Sequence, residues 1–384
     1  MEALGAVIFL PREGESAPLM LEDILFDPAA LWLSRALAEE GVKQFLVVCS
    51  KDDRDAAAPC FPPDARFTDE AGLTDALVQF LAQVPGQVVV VDKPVLLAPK
   101  GTGFARAGKE PPQSICTLRG ATLAAALRDG QALPQALSAL GDPSPWQGRF
   151  LPLRPDAVYR AMTVEPLARS LSVDRLLSAG VRIVDTESVF VGPAVTVGEG
   201  SVLLPGTILK GATAIGRDCV IGPHAMISQC VIGDRVTVNA SQLNESSVDD
   251  DTTVGPFAYI RPNCRVGRKV KVGDFVELKN STVGDGTKIS HLTYVGDTDA
   301  GAHINFGCGT VTVNYDGKKK FRTTIQDNAF IGCNTNLVAP VTVGEGAYTA
   351  AGSTITEDVP ADALAIARQR QTVKKSWAAK RRKS

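Results

Sequence analysis

Short apolar runs alternate with helical stretches along the first part of the chain. The apolar runs cover Ala6–Leu10, Phe45–Val48 and Gln87–Val91, and apolar residues at helical spacing mark Ala29–Glu40 and Leu73–Ala82. Runs that alternate with helices are typical of a parallel sheet. The pattern therefore predicts an α/β domain over residues 1–156, although repeated prolines after residue 97 leave the order of its later elements open.

A different pattern begins near residue 181. Before it, a helical stretch at about Thr163–Ser178, closed by Gly180, predicts a helical arm, and we assign residues 157–184 to this linker. Beyond it, an aliphatic residue followed by glycine recurs at six-residue spacing with occasional slips, as at Val191, Val197, Ile215, Ile221, Val254, Val266, Val272, Val283 and Val295. This hexapeptide repeat predicts a parallel β-helix over residues 185–370, in which inward aliphatic side chains of successive coils stack into one narrow core. Residues 371–384 follow as a basic C-terminal tail.

One segment interrupts the repeat. Residues 312–322, with the sequence Thr-Val-Asn-Tyr-Asp-Gly-Lys-Lys-Lys-Phe-Arg, do not fit hexads, so we expect them to protrude from the β-helix as a loop. The loop is polar and carries several cationic side chains. A basic loop beside a rigid β-helix predicts one wall of a binding site for an anionic ligand.

Composition and charge narrow the classes of protein that remain. The 384 residues are 45% hydrophobic and 21% charged, which is ordinary for folded domains. A formal net charge of -2 gives no general attraction to nucleic acid or to an anionic membrane, and we expect neither as a partner. The sequence opens without a secretory signal pattern and has no apolar run long enough to span a bilayer, so we expect a cytoplasmic protein. The cysteines form no CxxC pair, which favours reduced thiols over a zinc site.

Five short motifs in the second half carry a resemblance to a known family. They are HLTYVGD at His291–Asp297, Asn305, GCGT at Gly307–Thr310, NYDG at Asn314–Gly317 and NLVAPV at Asn336–Val341. From about residue 181 to 370 the chain resembles the acetyltransferase domain of the bacterial bifunctional N-acetylglucosamine-1-phosphate uridyltransferase/glucosamine-1-phosphate acetyltransferase family. The resemblance implies a left-handed β-helix and a homotrimer. It also implies transfer of an acetyl group from acetyl-CoA to glucosamine-1-phosphate, in the biosynthesis of UDP-N-acetylglucosamine for peptidoglycan and the cell wall.

His291 matches the general base of that family. Attack on a thioester needs the neutral amine of glucosamine, which is largely protonated near pH 7, so a base must remove a proton. Histidine suits this task because it ordinarily titrates close to neutral pH. The resemblance therefore implies that His291 is the catalytic residue of a direct acetyl transfer. An acyl-enzyme on Cys308 is the less favoured route, because no base is assigned to that thiol.

The binding residues also come from the resemblance. The sugar-phosphate residues that it implies are Arg261, Glu277, Lys279, Tyr294, Asn305 and Lys320. Arginine can hold a phosphate through two parallel N–H bonds, and lysine adds a point charge. Glu277 lies two residues before Lys279, so strand alternation predicts that both side chains point to the same face. The acetyl-CoA residues that it implies, several of them through backbone groups, are Cys308, Asn314, Tyr315, Cys333, Ala351 and Arg368.

The front domain departs from the nucleotidyltransferase domain of the same family. The family has a glycine-rich loop that wraps nucleotide phosphates, whereas this chain carries two acidic residues there, Glu13 and Glu15. Leu19 stands where a lysine is expected, and Pro155 stands where an asparagine binds a metal. Asp92 alone matches a metal ligand, so Mg²⁺ is implied only if uridyltransferase activity is retained. We expect a shortened nucleotidyltransferase-like domain that has lost this activity.

Three alternatives stay open. An altered but active front domain would give a bifunctional enzyme that also makes UDP-N-acetylglucosamine from UTP and N-acetylglucosamine-1-phosphate. The β-helix could acetylate a different amine, although the motif match disfavours this. It could also be a metal-dependent hydratase with three histidine ligands, but the spacing of His224, His291 and His303 lacks the usual close pair.

Overall fold

The structure is a computed structural model. It describes residues 4–12, 14–84, 86–98, 115–129, 144–145 and 149–382. The chain forms two compact units, Met1–Val197 with Pro205–Thr213 and Gly198–Leu204 with Ala214–Ser384. Glu13 and the proline-containing stretches 99–114 and 130–143 lie outside the described residues.

The first unit contains a six-stranded sheet. In spatial order its strands are Arg66–Thr68, Val42–Val48, Leu4–Phe9, Gln87–Val91, Ile115–Arg119 and Ser144–Pro145. The first four are parallel, which confirms the α/β prediction, and the last two run antiparallel to their neighbours. Both antiparallel strands follow residue 97, in the part whose order the sequence left open.

Helices cover both faces of this sheet. Ala29–Glu39 and Leu73–Gln83 lie where the sequence predicted helices, and Gly120–Arg128 is a third. Successive side chains of a strand point to opposite faces, so Ala6 enters one hydrophobic core and Val7 enters the other. The shorter helices are Leu19–Leu21, Lys51–Asp53, Arg54–Ala57 and Ala58–Cys60. The short antiparallel pairs are Asp23–Ile24 with Asp27–Pro28 and Val95–Ala98 with Arg149–Pro152.

The helical arm is longer than the sequence predicted. A helical turn at Ala157–Tyr159 and a π-helical stretch at Arg160–Val164 precede the main helix, Glu165–Ser178. Gly180 follows with φ of 82°, a left-handed conformation that favours glycine at a helix end.

The first turns of the repeat pack on this arm within the same unit. The Arg175 guanidinium donates to the carbonyl oxygen of Val195 at 2.8 Å and to that of Gly192 at 3.3 Å. Burial lowers the pKa of Arg175, and the nearby Glu39 carboxylate opposes this effect. The strands of these first turns are Arg182–Ile183, Phe190–Val191, Thr196–Val197 and Ile208–Lys210.

The second unit is a β-helix whose short parallel strands form three sheets. Sheet one contains Val202–Leu203, Val220–Ile221, Thr237–Val238, Thr253–Val254, Lys271–Asp274, Lys288–His291, Asn305–Phe306, Phe330–Ile331, Tyr348–Thr349 and Leu364–Ala365. Sheet two contains Met226–Ser228, Gln242–Asn244, Tyr259–Ile260, Glu277–Lys279, Tyr294–Gly296, Val311–Val313, Asn336–Val338 and Thr354–Ile355. Sheet three contains Ala214–Ile215, Val231–Ile232, Ser247–Val248, Arg265–Val266, Thr282–Val283, Thr298–Ala300, Thr323–Ile325 and Val341–Val343.

The aliphatic positions of the hexapeptide repeat form the core of this unit. Ile221, Leu243 and Val266, one from each sheet, are fully buried, and their counterparts in the other coils stack above and below them. The coils turn at residues with positive φ, and these include large side chains such as Phe275 and Leu292, with φ of 56° and 43°. The predicted parallel β-helix is therefore confirmed.

The C-terminal tail contains one short helix, Trp377–Arg381, whose side chains are exposed. The Arg381 guanidinium lies 5.1 Å from the centre of the Trp377 ring. Among the described residues, none of the helices combines the length and the apolar character needed to cross a bilayer.

Candidate active site

Five residues occupy the same corner position in successive coils, where sheet one passes into sheet two. They are Asp274, His291, Cys308, Cys333 and Ala351, and we call them the corner column. Asp274 and His291 are register partners, and the strands that precede the later corners stay in register with one another. Because neighbouring strands lie about 4.8 Å apart, the column runs about 14 Å from His291 to Ala351. The fold thus aligns the predicted base with three predicted acetyl-CoA residues.

His291 is held at the exposed side of this corner. Its ring Nδ1 lies 2.5 Å from Asp274 Oδ1, and 56% of its side chain is exposed. The hydrogen bond from His291 holds the pKa of the Asp274 carboxyl below its usual value, so this carboxyl is ionised at neutral pH. Nε2 forms no hydrogen bond within the described part of the chain, which leaves this nitrogen available to a ligand.

A second group of predicted residues lies on the outer face of sheet two. Arg261 Nη1 donates to Glu277 Oε1 at 2.8 Å, and Glu277 is the register partner of Tyr294. The hydrogen bond to Glu277 raises the pKa of Arg261. Leu278 is fully buried between Glu277 and Lys279, which confirms that these two side chains point outward together.

Asp297 binds three residues of this part of sheet two and of the loop that follows it. Its carboxylate is buried and accepts hydrogen bonds from Lys279 Nζ at 2.9 Å, from Asn280 Nδ2 at 2.6 Å and from Asn314 Nδ2. Burial opposes ionisation of Asp297, but these three donors outweigh it and hold its pKa below the usual value. Partial burial likewise opposes the charge of Lys279, but Asp297 outweighs it and raises the lysine pKa. The pair is therefore ionised, and Lys279 is fixed in place.

The predicted loop begins later than expected. Val311–Val313 is a strand and the Thr312 side chain is fully buried, so residues 312 and 313 belong to the coil. Thr312 fits there because its hydroxyl donates to the Gly296 carbonyl oxygen at 3.1 Å, which a purely apolar pattern does not detect. Asn314 is also buried, so the protruding part is residues 315–322. It is closed by a bridge between Tyr315 and Lys320, and Lys320 is exposed.

The other predicted residues lie on both sides of the corner column. Asn305 is half-buried on sheet one, in register with Lys288 and Phe330. Cys308 is half-buried and Cys333 is exposed. Arg368 is exposed beside the last coil, with its Cδ 3.8 Å from where a Cβ on Gly352 would lie. The structure thus places Arg368 close to the Ala351 end of the column.

Sequence reasoning missed Asp274 and Asp297 as site residues. Their separation in sequence from the predicted residues could have found them, because one coil spans about 17 or 18 residues in this region. Asp274 precedes His291 by 17 residues, and Lys279 precedes Asp297 by 18 residues. Each separation is one full coil, which places the two side chains next to each other on neighbouring strands.

The first unit has its own cleft, at the carboxyl ends of the parallel strands. It has a volume of about 730 Å³ and is lined by residues that follow those strands, including Arg12, Lys51, Asp69 and Asp92. Arg12 donates to both carboxylate oxygens of Asp53, at 2.7 and 2.6 Å, and Lys51 lies 3.4 Å from Asp69. The two cations that could meet a phosphate are therefore already paired with carboxylates.

Asp92 is the residue of this cleft that the resemblance matches to a metal ligand. Burial raises the pKa of Asp92, although Lys93 opposes that effect. Asp52, Asp69 and Glu70 also line the cleft. In the described residues, no three His, Cys, Asp or Glu side chains come together in a way that could hold a metal ion. The same finding leaves the three-histidine hydratase without a site in the described part of the β-helix.

A family model and several solved structures are similar to parts of this chain. The family model described as bacterial transferase hexapeptide (six repeats) matches residues 322–357. The UDP-N-acetylglucosamine acyltransferase structure from Campylobacter jejuni matches 49% of this chain and 72% of its own, at 18% identity and a TM-score of 0.31. The second unit is a left-handed parallel β-helix, and the matched hexapeptide repeats lie within it.

Two relatives named bifunctional protein GlmU are each 54% identical to this chain over the region that matches. The one from Acetivibrio thermocellus is 54% identical over 215 residues, which is 56% of this chain and 47% of the relative. The one from Brevibacillus brevis is 54% identical over 201 residues, which is 52% of this chain and 44% of the relative. The chain spans about half the length of the curated relatives that it matches. The resemblance to this bifunctional family is confirmed over that part.

Proposed function

We propose that the β-helix unit is an acetyl-CoA:glucosamine-1-phosphate N-acetyltransferase in UDP-N-acetylglucosamine biosynthesis. The observation that carries the proposal is the corner column, in which His291 presents a free ring nitrogen beside a group of anchored cations. The relatives named bifunctional protein GlmU support the same assignment.

In this mechanism the amino sugar loses its protons in two steps. His291 Nε2 takes one proton from the ammonium group, and the nitrogen lone pair then adds to the thioester carbonyl carbon. The C–S bond breaks as the amide forms, and CoA leaves as a thiolate. The second proton from nitrogen ends on this thiolate, and His291 returns its proton to water. The transfer is direct, without an acyl group on Cys308.

The cations on sheet two hold the phosphate of the acceptor. Arg261 is partly exposed and already oriented by Glu277, so its remaining N–H groups are free to bind a phosphate in a fixed geometry. Lys279 is fixed by Asp297, and Lys320 adds a second ammonium from the loop. Tyr294 and Asn305 contact the sugar. The oriented cations select an acceptor that carries a phosphate close to the amine.

The later part of the corner column takes acetyl-CoA. Cys308, Cys333 and Ala351 present backbone groups along a straight edge, and Asn314 and Tyr315 form its wall at the start of the loop. Arg368 supplies a cation at the far end for the phosphates of CoA. An extended thioester laid along this edge has its acetyl group next to His291.

An acceptor comparison tests this assignment. The purified full chain is expected to acetylate glucosamine-1-phosphate with a kcat/KM at least about 100-fold above that for glucosamine, because the sugar without phosphate loses the contacts to three cations. The rate of free thiol release measures both reactions. Equal kcat/KM values for the two acceptors would show that the sheet-two cations do not select the substrate.

The homotrimer is part of the proposal. Phe257, Phe275 and Leu292 follow one another at left-handed corners beside the column, and each is more than half exposed. The rings of Phe257 and Phe275 stack with centroids 5.4 Å apart. A contiguous apolar strip at the edge of a binding site marks an interaction surface, and a second and third copy of the chain would cover it in a closed ring.

We expect Phe275→Asp to convert the trimer to a monomer, because the new charge would be buried without a partner. Light scattering at assay concentration measures the mass. Val231→Asp is the matched control: Val231 is also an exposed apolar residue, 61% exposed, but it lies in sheet three away from the strip, and this variant should remain trimeric. A Phe275→Asp variant that stays trimeric would contradict the proposed contact.

The front domain is proposed to lack uridyltransferase activity. With Arg12 and Lys51 paired to carboxylates, and Asp92 as the lone recognisable metal ligand, the cleft cannot disperse the charge of a triphosphate. We expect no UDP-N-acetylglucosamine above background from UTP, N-acetylglucosamine-1-phosphate and Mg²⁺, in a preparation that is active in acetyl transfer. Product formation that Asp92→Ala abolishes would show instead that the enzyme is bifunctional, as the names of its relatives state.

A further inference from the structure

We propose that Asp274 is the positioning residue for His291: it fixes the proton on Nδ1, leaves Nε2 as the base and stabilises the imidazolium that forms during transfer. This inference rests on the proposed function and adds a residue that neither the motif match nor the spacing of known site residues had marked. It follows from the contact at the first corner of the column.

The geometry couples the two residues through side chain and backbone. Asp274 Oδ1 lies 2.5 Å from His291 Nδ1, and the backbone N–H of Leu292 donates to the Asp274 carbonyl oxygen at 2.9 Å. Both residues end strands that are in register within sheet one. The backbone pairing therefore holds the two residues one strand spacing apart, with the carboxylate next to the ring.

The chemistry follows from which nitrogen carries the proton. A carboxylate accepts hydrogen bonds only, so the neutral ring must donate Nδ1–H to Asp274, and the lone pair is then on Nε2. When Nε2 takes a proton from the substrate, the ring becomes a cation directly beside the anion. The carboxylate thus favours the neutral tautomer whose Nε2 can accept a proton, and it also stabilises the imidazolium that forms when Nε2 is protonated.

Other charged and titratable groups lie on the same strand and on the neighbouring strands. Lys271 lies on the strand of Asp274 and helps to hold its pKa down, after the larger effect of His291. Cys308 occupies the next corner above His291, and Glu277 begins the next strand of the same coil as Asp274, where it binds Arg261. Asp274 is the residue whose carboxylate contacts the imidazole.

The test compares Asp274→Asn with the wild-type full chain. The amide keeps the size of the side chain but loses the charge, and it no longer selects the tautomer. We expect kcat to fall about 10- to 100-fold, less than for loss of the base itself, with KM for acetyl-CoA nearly unchanged. A residue with a purely structural role would change folding or KM and would not lower kcat alone.

Two further variants serve as controls. Asp274→Glu restores a carboxylate and should recover part of the wild-type kcat. Asp251→Asn removes a carboxylate that pairs with Arg235 in earlier coils of the β-helix, and it should leave kcat and KM unchanged. An unchanged kcat in Asp274→Asn, or an equal fall of kcat in Asp251→Asn, would overturn the inference.

A measurement without turnover separates this inference from the proposed function. The chain contains three histidines, so the ring nitrogen NMR signals of His291 can be assigned by their loss in His291→Ala. We expect these signals to report the tautomer with the proton on Nδ1 in the wild type and a mixture of both tautomers in Asp274→Asn. The same tautomer distribution in both proteins would refute the positioning role even if acetyl transfer occurs, and a failed acetyl-transfer assay would leave the expected difference in tautomers in place.

Discussion

Replacing His291 with alanine is expected to lower kcat for acetyl transfer by about 100- to 10,000-fold, with little change in acetyl-CoA binding. The expected loss is that of a general base, because His291 is the one histidine among the five residues of the corner column. Acetyl-CoA binding should persist because the residues proposed to bind it lie in later coils. Steady-state kinetics and calorimetric titration with CoA measure the two effects.

Two control variants make this result specific. His303→Ala removes another exposed corner histidine of the β-helix and should retain nearly full activity. Cys308→Ala should also stay active, because the thiol is not a nucleophile in direct transfer. An acetylated Cys308 trapped during turnover and seen by mass spectrometry would overturn the direct mechanism, and near-normal turnover of His291→Ala would remove the assigned base.

Replacing Asp297 with alanine is expected to destabilise the β-helix by about 3–5 kcal/mol. The carboxylate is 6% exposed and Lys279 is 16% exposed, so the variant leaves a mostly buried ammonium without its counter-ion. Asn280 and Asn314 lose an acceptor at the same time. For a unit of this size the change corresponds to a fall in Tm of about 10 °C or more, which scanning calorimetry measures. The KM for the sugar phosphate should rise as well, because Lys279 is no longer fixed.

Asp299→Ala is the matched control for this effect. Asp299 lies two residues further along the chain and binds Arg322, but 53% of its side chain is exposed. An exposed pair contributes about 1 kcal/mol or less, so the Tm should change by only a few degrees. Equal shifts for the two variants would contradict the role of Asp297 as a buried anchor.

The fold could be predicted from the sequence where one period dominates. The strand at Gln87–Val91 has the predicted bounds, and the helices at Ala29–Glu39 and Leu73–Gln83 differ from prediction by one residue at one end. The hexapeptide period likewise fixed the β-helix, because a stacked aliphatic position must recur once per face. The antiparallel strand Ile115–Arg119 could not be predicted, since its place in the sheet is defined by the strands on either side of it and not by its own pattern.

The candidate site could be predicted only in part. Motif likeness supplied His291 and the sheet-two cations, whose roles stay predictions until variants are measured. It did not give a role to Asp274 or to Asp297, although Asp297 ends the HLTYVGD motif, because each acts through a partner one coil away. The start of the loop was misplaced for a related reason. Thr312 is a polar residue but it is buried, because its hydroxyl donates a hydrogen bond to the neighbouring coil. A polar residue in the repeat is therefore not always an exposed one.

The central claim is tested most directly by incubating the purified full chain with glucosamine-1-phosphate and acetyl-CoA and analysing the products by mass spectrometry. The account predicts N-acetylglucosamine-1-phosphate and free CoA in a one-to-one ratio, formed at a rate proportional to protein concentration and lost in His291→Ala. Hydrolysis of acetyl-CoA without an acetylated sugar, or no consumption of acetyl-CoA by a folded trimer, would contradict it.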